Sequence, residues 1–285
     1  MHTIRNPLQW TVDQFRTAAH HAESMGHSVA GARDAGRPEI RRIGLADLRE
    51  ALAMGVADLG AFRTDVVFLC IVYPLVGLVL VHAAFNYDML PLIFPLASGF
   101  ALIGPAVAVG LYEMSRRREL GMATNWADAF AVTRASSFGA ILLLSAVLLF
   151  IFLVWLGVAN AIYRDTMGPA APASIDAFAS DLFATEAGRE MIVFGTVVGF
   201  VFALTVLAIS VVSFPMLLDR DVGFGAAVAT SVRATFANPV PVAAWGVIVA
   251  AGLVIGSLPF LLGLVVVMPV LGHATWHLYR RMIPR

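Results

Sequence analysis

His273 and His277 stand four residues apart near the end of the chain, so on a helix they share one face. Two neutral imidazoles at that spacing can hold a metal, and His82, from another apolar run, could add a third nitrogen. Haem ligation is the other use of histidines inside such runs. A plainer reading competes. His277 lies three residues before Arg280 and beside Trp276 and Tyr279, which is the make-up of an aromatic belt at headgroup depth. His82 falls near the opposite end of its run, about one bilayer thickness from His273. The expectation is therefore no metal and no cofactor, with His273 and His277 as the weak metal candidates. His20 and His21, next to Glu23, read as a solvated helix face.

Other reactive groups are sparse. Cys70 is the one cysteine, so neither an intramolecular disulfide nor a thiolate metal cluster can form. All nineteen basic residues are arginine, and no phosphate-binding loop can be completed without a lysine. Gly-x-Ser-x-Gly and His-Glu-x-x-His are both missing. No residue is expected to be catalytic. Asp65, Asp88, Glu113 and Asp219 sit at the ends of apolar runs. Glu113, between Tyr112 and the arginines 116–118, is the best candidate for a buried polar role, and pairing at an interface is its simpler explanation. Pro105, Pro215 and Pro269 are candidate hinges. The lack of charge midway along any run argues against a proton-driven pump.

The elements that must position these residues follow from composition. Of 285 residues, 59% are hydrophobic and 13% charged, against about 25% charged in a soluble domain. Mean hydropathy is +0.83. A helix needs about 20 apolar residues to cross a hydrocarbon core of roughly 30 Å. Six stretches qualify as spans: 66–85, 89–112, 138–162, 191–218, 240–257 and 260–279. The second carries Pro91, Pro95 and Pro105, which predicts a kink. The last two come from one uncharged region, 234–279, divided by Gly256, Ser257 and Pro259 into a tight hairpin. Span 240–257 is short, and a re-entrant path there would leave five spans. The fold class is all-α, a polytopic membrane helical bundle.

Arginine sets the orientation. Counted over alternate segments, seventeen arginines fall on one side and two, Arg164 and Arg189, on the other. Basic residues are retained in the cytoplasm, so both termini are expected there and the multi-pass chain in a bacterial inner membrane. The loop with Asp165, Asp176, Asp181, Glu186 and Glu190 is then periplasmic. No short apolar region follows a basic start, so no cleaved signal is expected. Zero net charge excludes bulk attraction to nucleic acid.

Each stretch ahead of an odd-numbered span has an amphipathic pattern. Leu45, Leu48, Leu52, Val56, Leu59 and Phe62 form the first stripe, with Asp47, Arg49, Glu50 and Asp58 largely elsewhere. Trp126 and Phe130 form the second, behind Asn125 as N-cap with Asp128 three residues on. Phe224, Val228, Val232 and Phe236 form the third. Such helices lie in the interface. A threefold repeat of interfacial helix, span and proline-bearing span results. Gly99 with Gly104, and Gly252 with Gly256, suit close helix packing. Residues 1–40 form a separate cytoplasmic segment. Asn6 and Pro7 start a helix striped by Leu8, Val12, Phe15, Ala19 and Ala22, and a linker with Gly26, Gly31, Gly36 and Pro38 follows. Residues 41–285 form the membrane domain.

Several stretches carry a resemblance. They are Ile4-Arg5-Asn6-Pro7 ahead of Trp10; Arg42-Ile43-Gly44-Leu45-Ala46-Asp47-Leu48-Arg49-Glu50-Ala51-Leu52; and Tyr73-Pro74-Leu75-Val76-Gly77. Gly110-Leu111-Tyr112-Glu113-Met114-Ser115-Arg116-Arg117 and Pro269-Val270-Leu271-Gly272-His273-Ala274-Thr275-Trp276-His277-Leu278-Tyr279-Arg280 complete them. Over most of residues 40–282 the chain resembles an uncharacterised family of bacterial integral membrane proteins of unknown function. The resemblance implies a multi-pass protein and no site residues. Some members carry the label cytochrome c oxidase subunit I, which implies a haem-binding redox subunit as one alternative. The leading expectation is a non-enzymatic interaction, assembly or lipid-associated protein, with membrane lipids, a membrane protein or a second copy as partners. A small-molecule or lipid permease is the other alternative. A polar cavity near Gly99–Pro105 and Pro215 would favour transport, and a packed core the scaffold.

Overall fold

The computed structural model describes residues 38–86 and 89–285. The N-terminal helix and linker expected over residues 1–37, with His20, His21 and Glu23, lie outside the described residues, as does Asp88.

The chain is an all-α membrane bundle; no strand occurs among the described residues. Two helices open it, α1 (Leu45–Cys70) and α2 (Val72–Asn86). A 3₁₀ turn (Leu90–Leu92) leads into α3 (Ile93–Val107) and α4 (Val109–Glu119). A 3₁₀ segment (Trp126–Arg134) precedes α5 (Phe138–Thr166). Then come α6 (Ile175–Ala184), α7 (Glu186–Ser210) and α8 (Ser213–Asp219). Helices α9 (Phe224–Ala237), α10 (Pro239–Ser257) and α11 (Leu264–Met282) finish the chain. In hydrocarbon a backbone has no water to bond, so uncharged runs of this length become helices that satisfy their own peptide groups. Among the described residues four helical stretches are long and apolar enough to cross a membrane: Leu90–Glu119, Phe138–Thr166, Glu186–Asp219 and Pro239–Ser257.

Prolines explain two of the breaks. Pro74 and Pro215 each strip a hydrogen bond from the carbonyl four residues earlier and crowd it, at Cys70 and Val211. The helices stop there, at Ile71 and at 211–212. The expected hinges are therefore not alike. Pro215 marks a break, and Pro105 lies inside α3 three residues ahead of the break at Ala108. Pro269 sits inside α11, which runs on without interruption. The break at Ile71 falls inside a stretch whose sequence reads as one unbroken span.

Helix α1 also departs from the sequence reading. Residues 45–62 do not form a separate helix in the interface; they continue into the first apolar run as one helix of 26 residues. α1 packs antiparallel along α11: Arg281 pairs with Asp47 (2.9 Å) and Glu50 (2.6 Å), and further along Gly55 abuts Val270 and Ala274. Its buried face is Leu48, Ala51, Gly55, Asp58 and Phe62, while Leu45 and Val56 are exposed. Asp58 thus lies on the core face, contrary to its expected place. In α9 the buried residues are Ala227, Thr230, Ser231 and Ala234; of the expected stripe, Phe236 is exposed, while Phe224, Val228 and Val232 are half-buried. In both helices small residues take part in the contacts with neighbouring helices, where they let backbones approach.

The ends of several helices meet in one charged layer. Glu119 at the end of α4 accepts from Trp276 Nε1 (3.0 Å) and Arg280 Nε (3.1 Å). Asp219 at the end of α8 accepts from Tyr279 (2.8 Å) and Arg280 (3.2 Å). Asn238, ahead of α10, accepts from Ile43 N (2.8 Å) and donates to the Arg41 carbonyl (3.2 Å), while Arg41 N donates to Met282 O (2.9 Å).

Candidate functional site

Above that layer, and before the apolar run that starts at residue 66, α1, α4 and α11 converge on Asp58. Gly55 makes this possible, because a Cβ there would stand 2.7 Å from the Val270 carbonyl and 2.8 Å from Ala274 N. The Asp58 residue is 3% exposed. Its Oδ2 accepts from Ser115 Oγ at 2.6 Å and from His277 Nε2 at 2.9 Å, and its Oδ1 accepts from Arg118 Nη1. Burial alone pushes the Asp58 carboxyl up, but hydrogen bonds from His277 and Ser115 outweigh it and hold the group below the usual carboxylate range.

The directions of these bonds fix the imidazole protons. Asp58 only accepts, so His277 carries hydrogen on Nε2. Ser115 spends its hydrogen on Asp58, so His273 Nδ1, 2.8 Å from Ser115 Oγ, must donate. The result is a one-way chain from His273 through Ser115 to Asp58. His273 Nε2 is left as a buried acceptor without a hydrogen-bond partner among the described residues. Phe62 tilts over the His273 ring at 6.0 Å and takes the Arg118 guanidinium on its other contact at 5.9 Å.

The cluster clamps α1, α4 and α11 together: Ser115 is 1% exposed and its hydroxyl donates to the Asp58 carboxylate. Among the described residues no group of three or more His, Cys, Asp or Glu could hold a metal ion. His82 lies exposed on α2, up to about 36 Å along the chain axis from Asp58 at 1.5 Å per residue. The aromatic-belt reading of the α11 end is also corrected. His273, Trp276 and Tyr279 are fully buried, with their polar atoms turned inward to Ser115, Glu119 and Asp219.

Glu113 is buried and paired as its position suggested. It accepts from Arg116 (2.7 Å) and Arg117 (2.9 Å) on its own helix, and Arg117 reaches on to Asp128 (2.6 Å). Asp128 completes a capping box with Asn125, and Trp126 and Phe130 share a face, edge to face at 6.3 Å. Sequence reasoning misses Asp58, Ser115 and Arg118 as members of one site. The signal that could have found Asp58 is the small-residue line 51–55–58 at heptad-like spacing.

A cavity of about 400 Å³ lies between α3, α7, α10 and α11. Gly104, Pro105, Phe200, Leu207, Trp245 and Leu271 are among its walls. Ser210 Oγ, buried without a hydrogen-bond partner among the described residues, and Thr275 are rare polar points in it. Gly104 borders it loosely, since a Cβ added there would meet only Met268 Cε, at 4.0 Å. Gly99, Gly252 and Gly256 make the close contacts expected of them, against Phe152, Val267 and Leu264.

Residues 93–219 match a family model described as "Predicted integral membrane protein (DUF2189)". The description agrees with the uncharacterised membrane family that the sequence resembles. No curated protein matches, and no solved structure matches.

Proposed function

We propose that this integral membrane protein is a non-enzymatic, lipid-associated component of a bacterial inner membrane, with both termini cytoplasmic, that takes one hydrocarbon chain into the cavity beside Gly104 and Pro105. The observation that carries the reading is the cavity itself. Its volume, about 400 Å³, falls in the range of ligand pockets, and its walls are almost wholly apolar. A permease for polar solutes would need a polar path at this depth. The seventeen-to-two arginine imbalance supports the orientation.

Gly104→Leu tests it. The new side chain points into open space, and leucine favours a helix over glycine by about 1 kcal/mol, so the fold is kept. Native mass spectrometry of the purified protein should show a lipid or fatty-acid adduct on the parent that the variant loses. A parent without an adduct, or a variant that keeps it, overturns the reading.

A further inference from the structure

Helices α10 and α11 form a hairpin whose depth can be measured from its base. Asn238 is tied to Arg41 and Ile43, and Met282 to Arg41, so both legs start in the charged layer of Asp47, Glu119, Asp219 and Arg281. Each leg has 19 residues, about 28 Å at 1.5 Å per residue. The neighbours that start in the same layer are longer: 30 residues for Leu90–Glu119 and 34 for Glu186–Asp219, about 45 and 51 Å. Along the chain the hairpin legs are therefore about 17–23 Å shorter than these neighbours.

Its lower part is not available for crossing. His277, which donates to Asp58, stands five residues, about 8 Å, above Met282, and the Arg118 side chain that also reaches Asp58 is 42% exposed. Hydrocarbon cannot begin below a half-exposed guanidinium. That leaves the tip about 20 Å of penetration into a core of roughly 30 Å.

The tip is made for that depth. Leu258, Phe260 and Leu262 are exposed (75, 87 and 65%), and residues 258–263 carry no polar side chain. Phe260 and Leu261 adopt left-handed backbone (φ 51° and 66°), which reverses the chain within six residues at a cost of roughly 1–2 kcal/mol each. Four N–H groups at the reversal are bonded internally: Leu258 N to Val254 O, Leu261 N to Ser257 O, Leu262 N to Pro259 O and Leu264 N to Leu261 O. Pro259 has no N–H to satisfy. Ser257 Oγ bonds back to Leu253 O at 2.8 Å. A turn facing water needs none of this economy, whereas a turn in hydrocarbon requires it.

We infer that the α10–α11 hairpin is re-entrant: it enters and leaves by the face that bears Asp47 and Arg281, and its Leu258–Leu262 tip is an interaction surface for acyl chains near mid-bilayer. The chain then crosses four times, through α1–α2, α3–α4, α5 and α7–α8, and both termini stay on one side. This stands independently of the acyl-chain cavity.

Single-cysteine variants of the full chain test it, in a Cys70→Ala background. Ser174→Cys marks the opposite face and Gly121→Cys the near one. In sealed membranes, Phe260→Cys should react with a membrane-impermeant maleimide roughly tenfold or more slowly than either marker, from both sides, because a thiol in hydrocarbon does not ionise. A fluorophore attached there in detergent, after reconstitution, should be quenched most by lipids brominated in mid-chain. Labelling at the Ser174→Cys rate would show a crossing hairpin and overturn the inference. Slow labelling with quenching only by headgroup-labelled lipids, or by none, would also overturn it. Leu258→Cys gives the same readout should the Phe260 variant fail to run as a single species.

Discussion

Replacing Asp58 with alanine should be among the most damaging single changes in this protein. The change removes the common acceptor of three donors. Two of them, the Ser115 hydroxyl and His277 Nε2–H, are buried, and Ser115 can turn to His273 Nδ1 only if that imidazole changes tautomer. A stranded buried donor costs about 1–3 kcal/mol. The third, Arg118, keeps 42% of its side chain in solvent and can return to water, so its loss adds less than about 1 kcal/mol. These contributions span about 2–7 kcal/mol, and the cost of breaking a buried pair from one side, about 3–5 kcal/mol, lies within that span and is the working figure. At about 2–4 °C per kcal/mol for a chain of this size, the midpoint should fall by roughly 6–20 °C. The assay is thermal loss of the monodisperse peak in mild detergent, run beside Asp47→Ala, whose pairing with Arg281 lies nearer the surface. A drop for Asp58→Ala no larger than for Asp47→Ala would refute the clamp.

Gly55→Ala should also destabilise, by about 1–3 kcal/mol, because its Cβ would meet backbone atoms of α11 that cannot move aside. Gly60→Ala, in open space on the same helix, should be neutral or stabilise by up to about 1 kcal/mol in the same thermal assay. The Asp58 carboxyl, held below its ordinary range, contributes stability that is intact above about pH 4 and is lost as pH falls through the lowered value. A melting series at decreasing pH should therefore steepen below about pH 4 in the parent, and Asp58→Asn should remove that part of the slope. Reporter fusions should give a periplasmic signal after Ser174 and cytoplasmic signals after Arg118 and Arg285; the reverse pattern would refute the arginine argument.

Local chemistry is legible in the order of residues alone. The Asn125–Asp128 capping box spans three residues, and the Glu113 pairs with Arg116 and Arg117 lie within one helical turn, so spacing brings these groups together. The clamp at Asp58 is not legible in that way. Its partners lie 57, 60 and 219 residues away, and nothing local marks an aspartate that will be buried. The amphipathic stripes mislead for a related reason. A stripe of large apolar residues does not by itself say which face packs: Val56 and Phe236 turn outward, while Ala51, Gly55, Ala227 and Ala234 turn in, because small residues let backbones approach.

The sequence by itself determined the solvent, because runs of uncharged residues this long cannot be hidden in a core of 285 residues, and with the solvent it determined helix as the secondary structure. It also marked Pro105, Pro215 and Pro269 as candidate hinges, since a missing N–H acts within a single turn, although α11 runs unbroken through Pro269. Only the tertiary structure decided depth. How far the last hairpin reaches, and whether Asp58 meets water or His277, depend on which helix lies alongside and at what height. Those offsets are set by contacts between side chains far apart in the chain, at Gly55 with Ala274, Arg281 with Asp47 and Glu119 with Trp276.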